Sequence, residues 1–155
     1  MKFFGVTAAA FLLIAGSSHA QSVSIRNLPP PGAFEVVSEG DEVSLSSRVQ
    51  VQRLINGAWQ NEPSDIRLVQ YCIPPQVPPC VTLHDGEHLR PPPWNGLTCA
   101  SQCPTGCRAN ITLPPGTFRF VVTLCSGDKS FAGPAFYMEE EPRKPARRAR
   151  PTRRN

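Results

Sequence analysis

The segment VQVQRLINGAWQ, residues 49–60, carries the clearest structural signal in the chain. Its apolar and polar residues alternate up to Asn56-Gly57, the dipeptide that two-residue β-hairpin turns favour. Alternation with a period of two is typical of a strand that buries one face. The segment therefore predicts an antiparallel hairpin, and the residues around it extend the same pattern.

Short alternating runs recur on both sides of this hairpin, about every 8–12 residues, as in an antiparallel sandwich. A second two-residue hairpin is predicted at Asp85-Gly86, where its strands would place His84 opposite Glu87. Only 97–107 is compatible with a short helix. We predict a mainly β fold, an antiparallel β-sandwich with at most one short helix. Its predicted strands are 22–26, 33–37, 43–46, 49–55, 58–60, 65–72, 81–84, 87–90, 118–125 and 131–138.

The composition excludes several classes of protein. The chain has 155 residues, of which 18 are proline and 6 are cysteine. Its proline fraction is more than twice the usual value of about 5%, which excludes a bundle of long helices. Beyond the first 20 residues no apolar run is long enough to span a membrane. The remaining length suits one domain.

Three regions follow from composition. Lys2, the apolar run 3–16 and the small residues at 18–20 predict a signal peptide over 1–20, and hence a secreted, extracellular protein. The domain would cover 21–138, with eight Lys/Arg against nine Asp/Glu, so it gives no electrostatic reason to bind nucleic acid. Residues 139–155 hold seven Lys/Arg and three Glu, which predicts a disordered basic tail.

The tail leaves several functions open. It is compatible with a solvated extension, with binding to acidic polymers or membrane surfaces, with cleavage at a dibasic pair, and with nuclear targeting inside a host cell. The sequence does not select among them.

An oxidising secretory route predicts that the six cysteines form three disulfides rather than a zinc site. Cys99, Cys103 and Cys107 are spaced by four residues, so a helix over 97–104 would turn the first two to one face. Each of the three would then pair with a cysteine outside this group, which leaves six pairings open. The cysteines are Cys72, Cys80, Cys99, Cys103, Cys107 and Cys125.

Three stretches resemble immunoglobulin-like domains. EGDEVSLSS (39–47) resembles their A′–B turn and B strand, LPPGTFRFVVTLCSG (113–127) their E–F corner and F strand, and FAGPAFYM (131–138) a last strand. The B-strand cysteine is absent, because Ser46 and Ser47 stand there. The resemblance implies an immunoglobulin-like β-sandwich, which the three disulfides would hold together.

Enzyme chemistry finds little support in the sequence. His84-Asp85-Gly86-Glu87-His88 matches the HxxEH pattern of zinc peptidases, but that site needs a helix, and Asp-Gly followed by three prolines favours a turn. The serines lack a nucleophile-elbow pattern, and the cysteines are expected to be oxidised. We therefore expect no catalysis, no metal and no cofactor.

Two proline-rich loops are the candidate binding elements. Proline lowers the entropy lost on binding, and Trp and Arg are enriched at binding hot spots. Trp94 and Arg90 would make the central contacts while the prolines between them keep the loop extended. The predicted target-binding residues are Arg90, Pro91, Pro92, Pro93, Trp94, Pro74, Pro75 and Val77. A glycosylation sequon stands at Asn110.

The export signal, small domain and six cysteines together resemble the cysteine-rich secreted effectors of plant-pathogenic fungi. The layout is most similar to the blast-fungus type that inhibits host papain-like cysteine proteases. Arg90-Pro91-Pro92-Pro93-Trp94 is similar to the tryptophan loop of chagasin-type inhibitors, with two extra prolines. The resemblance implies a virulence effector that acts by binding such a host protease.

The alternative is a carbohydrate or cell-wall binding module, because fungal wall-associated proteins contain immunoglobulin-like domains with a last strand similar to FAGPAFYM. A planar row of exposed aromatic residues among Trp59, Trp94 and Tyr137 would favour this alternative.

Overall fold

The computed structural model describes residues 22–69, 78–98 and 111–139. These residues form a mainly β fold with antiparallel sheets and no helix, which confirms the predicted fold class. The strands are β1 (Ser22–Leu28), β2 (Ala33–Glu39), β3 (Val43–Ser46), β4 (Arg48–Ile55), β5 (Ala58–Arg67), β6 (Cys80–Leu83), β7 (His88–Leu89), β8 (Gly116–Thr123), β9 (Ser130–Ala132) and β10 (Phe136–Met138).

The strands form three sheets. The smaller of the two main sheets has the order β1-β2-β7, and the larger has the order β10-β8-β4-β5, with β9 also paired to β8. β3 and β6 pair with each other, and an isolated bridge joins Leu45 of β3 to Leu124. The immunoglobulin-like strand arrangement stays a prediction.

The hairpin predicted at Asn56-Gly57 is confirmed. β4 and β5 pair with Ile55 opposite Ala58, so that only these two residues form the turn. Asn56 has φ 51° and Gly57 has φ 80°, the left-handed conformations that a turn of this kind requires.

The turn at Asp85-Gly86 is also present, but the hairpin predicted around it is wrong. β6 pairs with β3, whereas β7 pairs with β2, so the two strands enter different sheets. β7 is only two residues long, and the prolines that follow at 91–93 have no N–H to extend a ladder. The last predicted strand, 131–138, is likewise divided into β9 and β10, with Pro134 between them.

The two main sheets share an apolar core. Phe34 of β2 stacks on Phe120 of β8 with 4.1 Å between ring centroids, which joins the sheets at their centre. Removing such side chains from water is the main force that holds the domain together. The most deeply buried core residues include Phe34, Val36, Val43, Leu45, Val49, Val51, Ile66, Leu83, Trp94, Phe118, Phe120 and Val122.

The sequence-based elimination of cysteine pairings is wrong. The sequence predicts that Cys80 and Cys125 each pair with one of Cys99, Cys103 and Cys107. Instead they are bonded to each other, with 5.8 Å between their Cα atoms. β3 brings them together: Ser46 pairs with Cys80 on one side, and the Cys125 N–H donates to the Ser44 carbonyl on the other.

Several predictions lie outside the described residues. They concern the signal peptide, most of the basic tail and nearly all of the 97–107 segment, of which Leu97 and Thr98 are described without helix. The other residues concerned are Cys72, Cys99, Cys103, Cys107, Pro74, Pro75, Val77 and Asn110.

Candidate functional site

Trp94, the predicted centre of target binding, is a core residue. Its side chain is 1% exposed and lies edge-on to Phe118, Phe120 and Phe136, with ring centroids 5.1, 6.2 and 6.3 Å away. The indole Nε1 donates a hydrogen bond to the Leu97 carbonyl at 2.8 Å. A side chain enclosed in this way cannot contact a partner, so the prediction that Trp94 makes the central contact is wrong.

The other residues of the predicted binding loop differ in how deeply they are buried. Pro91 is buried, so the prediction that it contacts a target is wrong, whereas Pro92 is half-buried and its role stays a prediction. Arg90 and Pro93 are exposed. The Arg90 side chain is 69% exposed, yet its Nε donates to Oε2 of Glu35 at 3.0 Å.

Backbone contacts fix this loop on both sides of Trp94. The Trp94 N–H donates to the Gly32 carbonyl at 2.9 Å, and the Leu113 N–H donates to the Gly96 carbonyl at 2.9 Å. Gly32 has φ +90°, and a Cβ at this position would overlap the Trp94 carbonyl oxygen. The loop is therefore held by the fold, with Trp94 as its anchor.

An apolar cleft of about 760 Å³ lies beside this loop. Asn95 and Glu139 line the cleft with an amide and a carboxylate, and the other lining residues are mainly apolar. Its apolar walls include Pro31, Leu97, Leu113, Phe118, Tyr137 and Met138.

Glu35 is a nearly buried carboxylate on the outer side of the smaller sheet, with 7% of its side chain exposed. The Arg90 guanidinium, hydrogen-bonded to Glu35, holds the pKa of this carboxyl below its usual value, and His88 acts in the same direction from 3.5 Å. Partial desolvation opposes both effects. Arg26 lies 3.9 Å from Glu35 and 3.6 Å from Glu39.

The two histidines of the HDGEH segment serve different carboxylates. His84 Nδ1 lies 3.1 Å from Glu42, whereas His88 lies beside Glu35. The predicted pairing of the His84 and Glu87 side chains across a hairpin is wrong: the His84 backbone N–H, not its imidazole, donates to Glu87 Oε2 at 2.9 Å. Within the described ranges no group of three or more metal-ligating side chains converges.

An apolar row crosses the outer face of the larger sheet, the face turned away from the core. Trp59 of β5 pairs with Leu54 of β4, and Tyr137 of β10 pairs with Thr117 of β8. The register of β4 and β8 places Thr117 next to Leu54, one position beyond the pair Arg53–Phe118. Leu54 is 41% and Tyr137 57% exposed, and Trp59 is half-buried.

A polar row lies next to the apolar row on the same face. Arg119 Nε donates to Gln52 Oε1 at 2.8 Å, and Gln52 Nε2 donates to Asn61 Oδ1 at 2.9 Å. The Arg119 guanidinium also lies over the Trp59 ring, 4.3 Å from its centroid. The hydrogen bonds and the cation–π contact hold the row in one arrangement.

Sequence reasoning did not assign Leu54, Gln52, Asn61 or Arg119 to a binding face. The signal that could have found them is the alternation of β4, which puts every second residue outside once Val49 and Val51 are placed in the core. Of the three aromatic residues that could form the predicted row, Trp59 and Tyr137 lie on this face, whereas Trp94 is buried in the core.

Comparison with protein-family models, curated proteins and solved structures finds no match to this chain. Among the described residues there is also no helix long and apolar enough to cross a membrane.

Proposed function

We propose that this protein is a polysaccharide-binding module that acts through the outer face of its larger sheet. The observation that carries the proposal is the apolar row, in which Trp59, Leu54 and Tyr137 lie on one line across four strands. Neighbouring strands are about 4.8 Å apart, so the row extends over about 14 Å. A row of this length matches an extended chain of several sugars better than a single small molecule.

The side chains of this face suit a sugar polymer. Aromatic rings offer flat apolar surfaces on which the C–H faces of sugars can stack, and an exposed group of apolar residues commonly marks an interaction site. Next to them, Gln52 and Asn61 provide amide groups for sugar hydroxyls. Because a sheet holds both rows in place, little conformational entropy is lost when the ligand binds.

The test is a pull-down of the full chain on insoluble glucan and chitin. Trp59→Ala and Tyr137→Ala should each weaken binding about tenfold or more, the scale of a hot-spot truncation, and the double variant should abolish it. Gln60→Ala is the matched control, because Gln60 is exposed next to Trp59 but belongs to the other face of the sheet.

Circular dichroism and the urea midpoint should show that each variant remains folded. Binding of the double variant at the wild-type level, or no binding of the wild type to any polysaccharide, would contradict the proposal.

Inhibition of a papain-like cysteine protease by a secreted effector is the second candidate function. The observation in its favour is the anchored loop, which presents Pro93 and Asn95 on the surface while Trp94 holds them from below. A rigid exposed loop is what a protein needs to occupy a protease cleft without large entropy loss. Stoichiometric inhibition that Pro93→Ala and Asn95→Ala weaken would support it, and no inhibition of several such proteases would exclude it.

We also propose that the protein is secreted, as the 1–20 segment predicts. The Cys80–Cys125 disulfide supports this proposal, because such bonds persist in oxidising compartments. N-terminal sequencing of protein recovered from culture medium should begin at Gln21. A cell-retained protein that keeps Met1 would contradict it.

A further inference from the structure

The outer face of the larger sheet carries positive charge next to the apolar row. Arg119 lies in the polar row, and Arg48 and Arg67 pair with each other four residues further along β4. Arg67 is bonded to Asp65 at 3.0 Å, but the exposed side chain of Arg48 has no ion-pair partner among the described residues. The face therefore has an excess of cations.

Among the described residues of this face, β4 and β8 present no carboxylate, and Asp65 of β5 is bonded to Arg67. By alternation the outward residues of β4 and β8 are arginine, glutamine, threonine, leucine and valine, and none is acidic. The nearest acidic residue along β10 is Glu139, which lies beyond the apolar row on the side away from Arg119. A ligand on the two rows would meet positive charge at its flank.

We propose that the ligand is an anionic polysaccharide whose sugars carry carboxylates, such as a polyuronate, and that Arg119 is the residue that selects it. This inference rests on the proposed function. Gln52 and Trp59 hold the Arg119 guanidinium in place, and the N–H groups not used by Gln52 remain available to a carboxylate. Arginine suits this task because its planar fork can bind a carboxylate with two hydrogen bonds.

A sugar acid fits the face better than a nucleic acid. The domain over 21–138 is nearly balanced in charge, with eight Lys/Arg against nine Asp/Glu, whereas nucleic-acid binding gains most of its affinity from many phosphate contacts. A polyuronate needs only one ordered arginine beside a stacking row, and its hydroxyls can use the neighbouring amides.

The experiment compares two forms of one polymer, polygalacturonate and the same polymer with its carboxylates methyl-esterified. The full-length wild type should bind the acidic form about tenfold or more tightly, and the preference should disappear at high salt because exposed charges are screened. Arg119→Gln should weaken binding to the acidic form about tenfold more than binding to the esterified form. Arg48→Gln is the matched control, because it removes the same charge from the same face four residues away.

The basic segment 139–155 is identical in all of these variants, so its contribution cancels when they are compared. Arg119→Lys should restore only part of the preference, because lysine keeps the charge but lacks the planar fork.

Each other outcome overturns the inference in a distinguishable way. Equal losses from Arg119→Gln and Arg48→Gln would show general charge attraction instead of selection. An Arg119→Gln loss that is the same for both polymers would show that Arg119 only positions Trp59, and the proposed function would stand without the inference. Tighter, Arg119-dependent binding of single-stranded RNA would replace the sugar acid with a nucleic acid. If Trp59→Ala leaves every polymer unaffected, the proposed function itself fails.

Discussion

Replacing Trp94 by alanine should lower the free energy of unfolding of the domain, because Trp94 anchors the proline-rich loop to the core. Removing a buried Trp or Phe side chain costs about 3–5 kcal/mol. Trp94 is 1% exposed and contacts three aromatic rings, so we expect about 4 kcal/mol from lost packing. Loss of the Nε1 hydrogen bond to the Leu97 carbonyl should add about 1 kcal/mol. A domain of this kind has about 5–15 kcal/mol in total, so the loss is a large fraction.

The assay is urea unfolding of the oxidised protein, followed by far-ultraviolet circular dichroism. With a slope of about 2 kcal/mol per molar urea, this total of about 5 kcal/mol should lower the Trp94→Ala midpoint by about 2.5 M. Trp94→Phe keeps most of the packing and should lose about 1–2 kcal/mol. Trp59→Ala is the matched control, because the same residue type is only half-buried on the outer face, and it should lose about 1 kcal/mol or less. A Trp94→Ala loss below about 1 kcal/mol, or one smaller than that of Trp59→Ala, would refute the core assignment.

Three further changes test other contacts of the fold. Gly32→Ala should destabilise the domain by more than the ~1 kcal/mol that a left-handed conformation costs alanine, because its Cβ would meet the Trp94 carbonyl oxygen. A free energy of unfolding within about 0.5 kcal/mol of wild type, the scatter of neutral surface changes, would contradict this. Because the pKa of Glu35 is lowered in the folded state, its contribution to stability is present above its unfolded-state pKa and is lost as the pH falls through its folded-state pKa. The melting temperature of Glu35→Gln should therefore fall less steeply below about pH 5 than that of wild type. Parallel melting-temperature curves for the two proteins would argue against this. Replacing Cys80 and Cys125 by serine should cost about 2–4 kcal/mol, because the bond closes a sequence separation of 45 residues; non-reducing peptide mapping that does not recover this linked pair would contradict it.

Local turn chemistry explains why much of the fold was predictable. Asn56-Gly57 determines a hairpin from its own conformational preferences, and the alternation of β4 then fixes which residues are buried. The interior strand β8 was predictable because Phe118, Phe120 and Val122 alternate on one face. In such segments the sequence neighbours and the spatial neighbours are the same residues.

Predictions failed where distant parts of the chain decide the outcome. The turn at Asp85-Gly86 was correct, but β6 and β7 each found a better partner strand elsewhere in the chain. Cys80 and Cys125 meet because β3 lies between them, which no spacing of cysteines can indicate. A tryptophan in a proline-rich loop has the same sequence signature whether it faces a partner or the core.

The different positions of the two tryptophans support placing the proposed binding site on the outer face of the larger sheet. A large aromatic residue lowers the free energy most when it is buried, and Trp94 has the loop contacts and ring neighbours that burial provides. Trp59 has an equally large ring, yet it is only half-buried, beside Leu54 and under the Arg119 guanidinium. One exposed apolar residue needs no explanation, but the exposed Leu54 and Tyr137 on one line with the half-buried Trp59 form a surface across four strands. Because the opposite face of the same strands holds the core, substitutions in this row should weaken binding without unfolding the domain. Substitutions at Trp94 should instead lower the stability of the domain.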